Sequence, residues 1–142
     1  MKNRIIYILL LIFILAVSYE RGVFDQIGGD TDQGKTLLYA FENQVSDLQV
    51  TGEGLVEKVL KDDTKGSAHQ RIILRVGPGQ TVLIAHNIDL APRVANIKKG
   101  DRLEFYGEYE WNNKGGVVHW THRDPNRKHI DGWLLHDGKR YE

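Results

Sequence analysis

The chain has 142 residues, with 19 basic and 19 acidic side chains, six histidines and no cysteine. That balance gives no broadly basic surface of the kind that grips nucleic acid nonspecifically. The missing thiols exclude disulfides, thiolate catalysis, cysteine-type zinc sites and lipidation of an N-terminal cysteine.

Lys2 and Arg4 precede an apolar block of 13 residues, Ile5 to Val17. A membrane span needs about 20 apolar residues to cross roughly 30 Å of hydrocarbon, so this block is short for one. It fits the h-region of a signal peptide, with Ala16 and Ser18 placed for cleavage after Ser18; an uncleaved N-terminal anchor is the other reading. Both export the rest of the chain to the periplasm or beyond and confine membrane contact to this segment. Without Lys2 and Arg4 the exported part has 17 basic against 19 acidic residues, a net of −2, and its length suits one domain with a single core.

Residues 19–35 are polar and glycine-rich and read as a tether. Thr36 to Val45 follows as a short helix with Leu37, Leu38 and Phe41 on one face, which completes a tether-and-helix segment over 19–45. A strand region from Gln49 to Leu60 contains Gly52 and Gly54, a pattern that marks a bend or bulge. Gln70 to Val76 and Gln80 to His86 form the next two strands around Gly77-Pro78-Gly79. Asn87 to Ile97 reads as a helical turn interrupted near Pro92. The clearest strand comes next: Leu103, Phe105, Gly107, Tyr109 and Trp111 point one way, and Arg102, Glu104, Tyr106, Glu108 and Glu110 the other. A hairpin through Asn112 to Gly116 leads onto Val117 to His122, and Asp137-Gly138 turns Trp133-Leu134-Leu135 back onto Arg140-Tyr141. Three strands, a helical connection and two more strands is the order of a small OB-like five-stranded barrel, here over 46–142 with a C-terminal hairpin extension. An open antiparallel sheet or another small barrel is the alternative.

Four of the six histidines lie in the last 24 residues, at 119, 122, 129 and 136. His119, His122, Asp124, His129 and Asp131, together with His86 at the end of the third strand, are candidate ligands for a divalent metal, because imidazole and carboxylate donors suit such ions. In a regular strand His119 and Thr121 share a face with Val117, while Trp120 and His122 share the other with Val118. The two histidines therefore meet at one metal only if the strand ends or bulges near Thr121. As catalytic groups, His119 or His122 would act as base, Asp124 would orient it, and Arg123 would clamp an anion, with Arg127 and Lys128 as further cations. Trp120, Trp133, His69 and Asp89 are candidate substrate contacts. The bland reading of the same residues is a structural one: Asp124 caps a turn, the tryptophans fill a small core, and the histidines bond to backbone.

Four segments, Lys61–Gln70, Ile84–Arg93, Phe105–Trp111 and the run Val118-His119-Trp120-Thr121-His122, resemble a functionally uncharacterised bacterial domain family marked by a His-Trp-Thr-His motif. The family usually has Asp-Asp-Asn where this chain has Asp62-Asp63-Thr64. The resemblance implies a small exported protein with an OB-like fold and supplies no activity. From the residues themselves, two functions are expected. One is a metal-dependent hydrolase of an anionic substrate, nuclease-like in acting on phosphodiesters. The other is a non-catalytic OB-type module for an oligosaccharide, a single strand or an envelope protein, using Trp120, Trp133 and Tyr106.

Overall fold

The structure, a computed structural model, describes residues 31–142. The expected leader over 1–18 and most of the tether lie outside the described residues; residues 31–35 belong to a helix, not to a tether.

Strand β1 (Leu48–Val59) is long enough to serve two partners. It pairs with β4 (Arg102–Glu110) from Leu48 to Leu55, then with β2 (His69–Gly77) from Leu55 to Val59, with a register shift between Val56 and Lys58. Gly52 and Gly54 sit at this changeover because nothing larger fits. A Cβ would lie 2.7 Å from the Phe105 ring at Gly52 and 2.7 Å from the Arg75 carbonyl oxygen at Gly54. The bend read from these glycines is therefore a barrel corner.

Strand β2 returns antiparallel as β3 (Gln80–Asn87), and β3 pairs in parallel with β5 (Val117–His119) through Leu83 and Ile84. β5 pairs antiparallel with β4, so the order β1-β2-β3-β5-β4 closes back on β1 as a five-stranded OB-like barrel. Closure leaves no bare sheet edge among these five strands. The second edge of β4 is divided: Glu108–Glu110 pair with β5, while Glu104–Tyr106 pair with β6 (Trp133–His136), which turns back as β7 (Lys139–Tyr141). Asp137 and Gly138 both take positive φ, 48° and 73°, as a two-residue hairpin turn requires.

Alternation fills the barrel. Ile72, Leu74, Val82, Ile84, Leu103, Phe105, Tyr109, Val118 and Leu134 are all buried. Helix α1 (Thr31–Glu42) covers part of this core with Leu37 and Ala40, and Phe41 is half-buried. Leu38, expected on the same face, is 43 % exposed. The core face of a helix recurs at steps of three and four, which selects positions 37, 40 and 41 and turns 38 outward. Trp111 anchors the helix end, its indole N–H donating to the Phe41 carbonyl at 3.0 Å.

The helical turn expected over Asn87–Ile97 does not form; that connection is a series of turns. Side chains there satisfy the backbone in place of a helix. The Asn87 side-chain oxygen accepts from the Asp89 amide, and Gln70 accepts from the Val94 amide while donating to the Val94 carbonyl. Asp89 itself accepts from the Ala68 amide at 2.8 Å. Among the described residues the helix precedes the first strand.

Candidate functional site

The His-Trp-Thr-His segment departs from strand geometry at its second residue. β5 ends at His119, three residues short of expectation, because Trp120 takes φ 53°. Val118 faces the core and His119 the outer surface, as alternation requires. The left-handed Trp120 then reverses the pattern, so that Thr121 and His122 both turn inward and are buried. The segment crosses β4 over Gly107, where a Cβ would stand 2.4 Å from the His119 carbonyl oxygen, and returns past Gly132, where one would stand 1.9 Å from the Trp120 carbonyl oxygen. The expected pairing of Thr121 with His119 on one face is thereby lost: His119 stays half-buried on the outer face, while His122 is buried beneath it.

His119 stands on the outer face directly across from Glu108, with Glu110 one step along β4. Its Nε2 lies 3.4 Å from Glu108 Oε1 and 3.8 Å from Glu110 Oε1. That nitrogen is shielded from solvent, yet makes no hydrogen bond among the described residues. Donor atoms of Glu108, Glu110 and His119 all lie within 4.8 Å of one another, and the group could hold a metal ion. Two atoms that each bind one ion at about 2.1 Å sit roughly 3–4 Å apart, and the two distances from His119 fall in that range.

His129 completes the outer cluster. Its Nε2–H donates to Glu108 Oε2 at 2.7 Å and its Nδ1–H donates to the Ile130 carbonyl at 2.8 Å. Burial by itself would lower its pKa; the hydrogen bonds to Glu108 and Ile130 and the charges of Glu108 and Asp124 outweigh burial and raise it. The Trp120 indole stacks on this imidazole with centroids 4.1 Å apart and planes 8° from parallel. The His122 ring lies 5.5 Å and the His119 ring 6.4 Å from the same indole, so three imidazoles surround Trp120.

His86 belongs to the interior. Fully buried, it meets Thr121 Oγ at 2.8 Å through Nδ1 and the Pro92 carbonyl at 3.1 Å through Nε2. A carbonyl only accepts, so Nε2 carries the proton and Thr121 O–H donates to Nδ1. Burial pushes its pKa down to about 4; the Pro92 contact pulls against this, and nearby His122 and His69 push with it. His69 bonds through Nδ1 to the Ser67 carbonyl and His122 through Nδ1 to the Arg123 carbonyl. His69, His86, His122 and Asp89 thus lie toward one barrel end, where Asp89 holds Ala68 and His86 links Pro92 to Thr121.

Asp124 and Asp131 build a loop. The Asp124 carboxylate accepts from the amides of Asn126, Lys128 and His129, and its own amide donates to Asp131 Oδ1 at 2.8 Å. The Asn126 and Lys128 amides hold Asp124 below the usual carboxylate range against the opposing effect of burial, with His129 adding to the same pull. With both Asp124 oxygens engaged by backbone, its carboxylate is not brought to His119 or His122. His136, buried, bonds to Asp101 at 3.0 Å, away from the other C-terminal histidines.

The expected set thus divides in three: His119 and His129 on the outer face, His86, His122, His69 and Asp89 at the barrel end, and Asp124 with Asp131 in the loop. Arg123 and Trp133 line a cleft that the two loop aspartates also border. Glu108 and Glu110 were visible in the sequence only as outward-facing strand residues. The signal that would have found them is hairpin register, since a loop through 111–116 sets Glu110 opposite Val117 and Glu108 opposite His119.

The family model described as "Protein of unknown function (DUF3465)" matches residues 23–142, and the chain belongs to that family. The match takes in helix α1 as well as the barrel. No curated protein matches the chain.

Proposed function

We propose that this barrel binds one divalent cation at Glu108, Glu110 and His119 and acts there on an anionic substrate, as a hydrolase of phosphodiesters. The observation that carries the reading is the His119 nitrogen, shielded from solvent, lying between two carboxylates and bonded to neither. A buried polar atom left unbonded carries a free-energy cost that a ligand relieves. Two carboxylates with one imidazole suit Mn(II), Fe(II) or Zn(II) better than Ca(II), which favours six to eight oxygens. His129 would hold Glu108 by its far oxygen and leave the near one for the cation, while Trp120 keeps the His129 ring in plane. A cation held by three protein atoms supplies a water of lowered pKa and a Lewis acid for a phosphoryl oxygen.

A second reading, a binding module, is favoured by one observation. Tyr106 and Trp133 lie 6.2 Å apart on the outer face beside this cluster, and Arg140 covers the Trp133 ring at 4.5 Å. Aromatics and guanidinium groups so placed suit a flat ligand without any chemistry.

The test is metal content and affinity for Mn(II) and Zn(II) in the wild type, His119→Ala, Glu108→Gln and His122→Ala, followed by nuclease and phosphatase assays with and without metal. The expected result is about one equivalent bound by the wild type and by His122→Ala, at least tenfold weaker binding in the other two, and turnover only with metal. Metal binding without turnover on any phosphodiester would favour the module. Equal affinity in all four proteins would remove the site.

A further inference from the structure

A cleft of about 670 Å³ opens between the 123–131 loop and the β6–β7 hairpin, lined by Tyr106, Trp133, two aspartates, Asp124 and Asp131, and three arginines, Arg123, Arg127 and Arg140. The chain's own Glu142 also lines it. One Glu142 oxygen accepts from Arg123, and the other pairs with Arg140 Nε at 3.1 Å, so a single carboxylate bridges two arginines whose side chains are 68 % and 52 % exposed. This is the bridging arrangement a bound phosphate adopts on arginine.

We propose that the cleft is a nucleoside-phosphate site and that Glu142 is an internal occupant which the ligand's phosphate displaces. This gives the anionic-substrate reading above a subsite for a nucleotide's terminal phosphate and rests on that reading, though it does not depend on the cation. Donor geometry favours phosphate over a carboxylate ligand. Asp124 is spent on backbone amides, and Asp131 on one. Arg127 has no ion-pair partner among the described residues. Removing Glu142 from its bridge leaves three guanidinium groups facing the cleft beside the two aspartates, and three forked donors match the several oxygens of a phosphate better than the two of a carboxylate. Trp133 and Tyr106 offer the flat surface on which a base stacks. The site also connects to the metal group: Tyr106 and Glu108 are two residues apart on the same face of β4, roughly 7 Å along the strand. The Tyr106 edge of the cleft thus adjoins the proposed cation group along one strand.

The experiment is calorimetric titration of full-length protein, freed of metal on a chelating resin, with uridine monophosphate, uridine and glucuronate. Uridine monophosphate is expected to bind, and to bind Glu142→Gln roughly fivefold tighter, the scale of one exposed ion pair. Arg123→Ala and Arg140→Ala, both at exposed positions, are expected to keep the wild-type melting temperature and to weaken binding severalfold. Uridine and glucuronate are expected to bind at least tenfold more weakly. The inference is overturned if Glu142→Gln binds uridine monophosphate no tighter than the wild type. It is equally overturned if glucuronate matches uridine monophosphate, which would make the cleft a sugar-acid site, or if nothing binds. Because no metal is present in this titration, nucleotide binding here, with no turnover once Mn(II) or Zn(II) is restored, would sink the hydrolase and leave this site standing. Metal-dependent turnover with no effect of these variants would do the reverse.

Discussion

At the scale of single residues, the molecule is governed by where the backbone can pass and where a proton can go. Gly107 and Gly132 let the Trp120 segment lie directly on β4. Gly107→Ala forces a Cβ into a backbone oxygen, and a loss of about 1–3 kcal/mol is expected from denaturant unfolding. Cation affinity should fall with it, since His119 supplies that oxygen. His86 is expected to contribute to acid sensitivity. The unfolded imidazole takes a proton below pH 6.5, the folded one only below about 4. Protons therefore favour the unfolded chain between these values, so this contribution is full above pH 6.5 and is lost as pH falls toward 4. The shift corresponds to about 3 kcal/mol across the window. His86→Gln keeps a polar group for Thr121 and cannot charge, so it should flatten the slope between pH 6.5 and 4 relative to wild type. An unchanged slope would assign the acid sensitivity to other groups.

At the scale of elements, the 120–132 excursion holds the most polar chemistry, and its order depends on one carboxylate. Asp124 gathers three amides, and the third belongs to His129, the residue that grips Glu108. Asp124→Ala is expected to speed hydrogen exchange at Asn126, Lys128 and His129 while leaving β1–β3 amides protected. It should also weaken cation binding without touching a ligand, because His129 loses its fixed position against Glu108. If exchange at those three amides is unchanged, the loop is held by something other than its acid cap. The depressed Asp124 pKa makes the same point by titration. Its contribution to stability is present above the unfolded carboxylate pKa near 3.9 and fades as pH drops through that range.

At the scale of the whole molecule, α1 is part of the core and not an appendage. Leu37 and Ala40 are buried against the barrel, and Trp111 at the end of β4 bonds to the helix terminus. Leu37→Ala is expected to cost about 2–4 kcal/mol, whereas Leu38→Ala, one position away and exposed, should stay within about 0.5 kcal/mol. Equal effects would mean that the helix does not pack by this face. The family match from residue 23 onward fits a unit of helix plus barrel, with the C-terminal hairpin closing the half of β4 that β5 leaves open.

Much of this architecture could be read in the sequence because its cause is local. Period-two alternation in Leu103–Tyr109 and Ile72–Leu74, paired glycines at a strand bend and an Asp-Gly turn each act within a few residues, and each appears where the pattern puts it. The outward row Glu104, Tyr106, Glu108, Glu110 is legible for the same reason. What local pattern could not supply was which acid meets which histidine. That outcome rests on Trp120 leaving the strand with a left-handed backbone, on Gly107 and Gly132 admitting it from 12 or more residues away, and on the register of β5 against β4. These are contacts between distant segments, and they moved Asp124 from ligand to loop cap and His86 into the core. They also assembled a Glu-Glu-His group whose two acids the sequence presents only as the polar face of a strand.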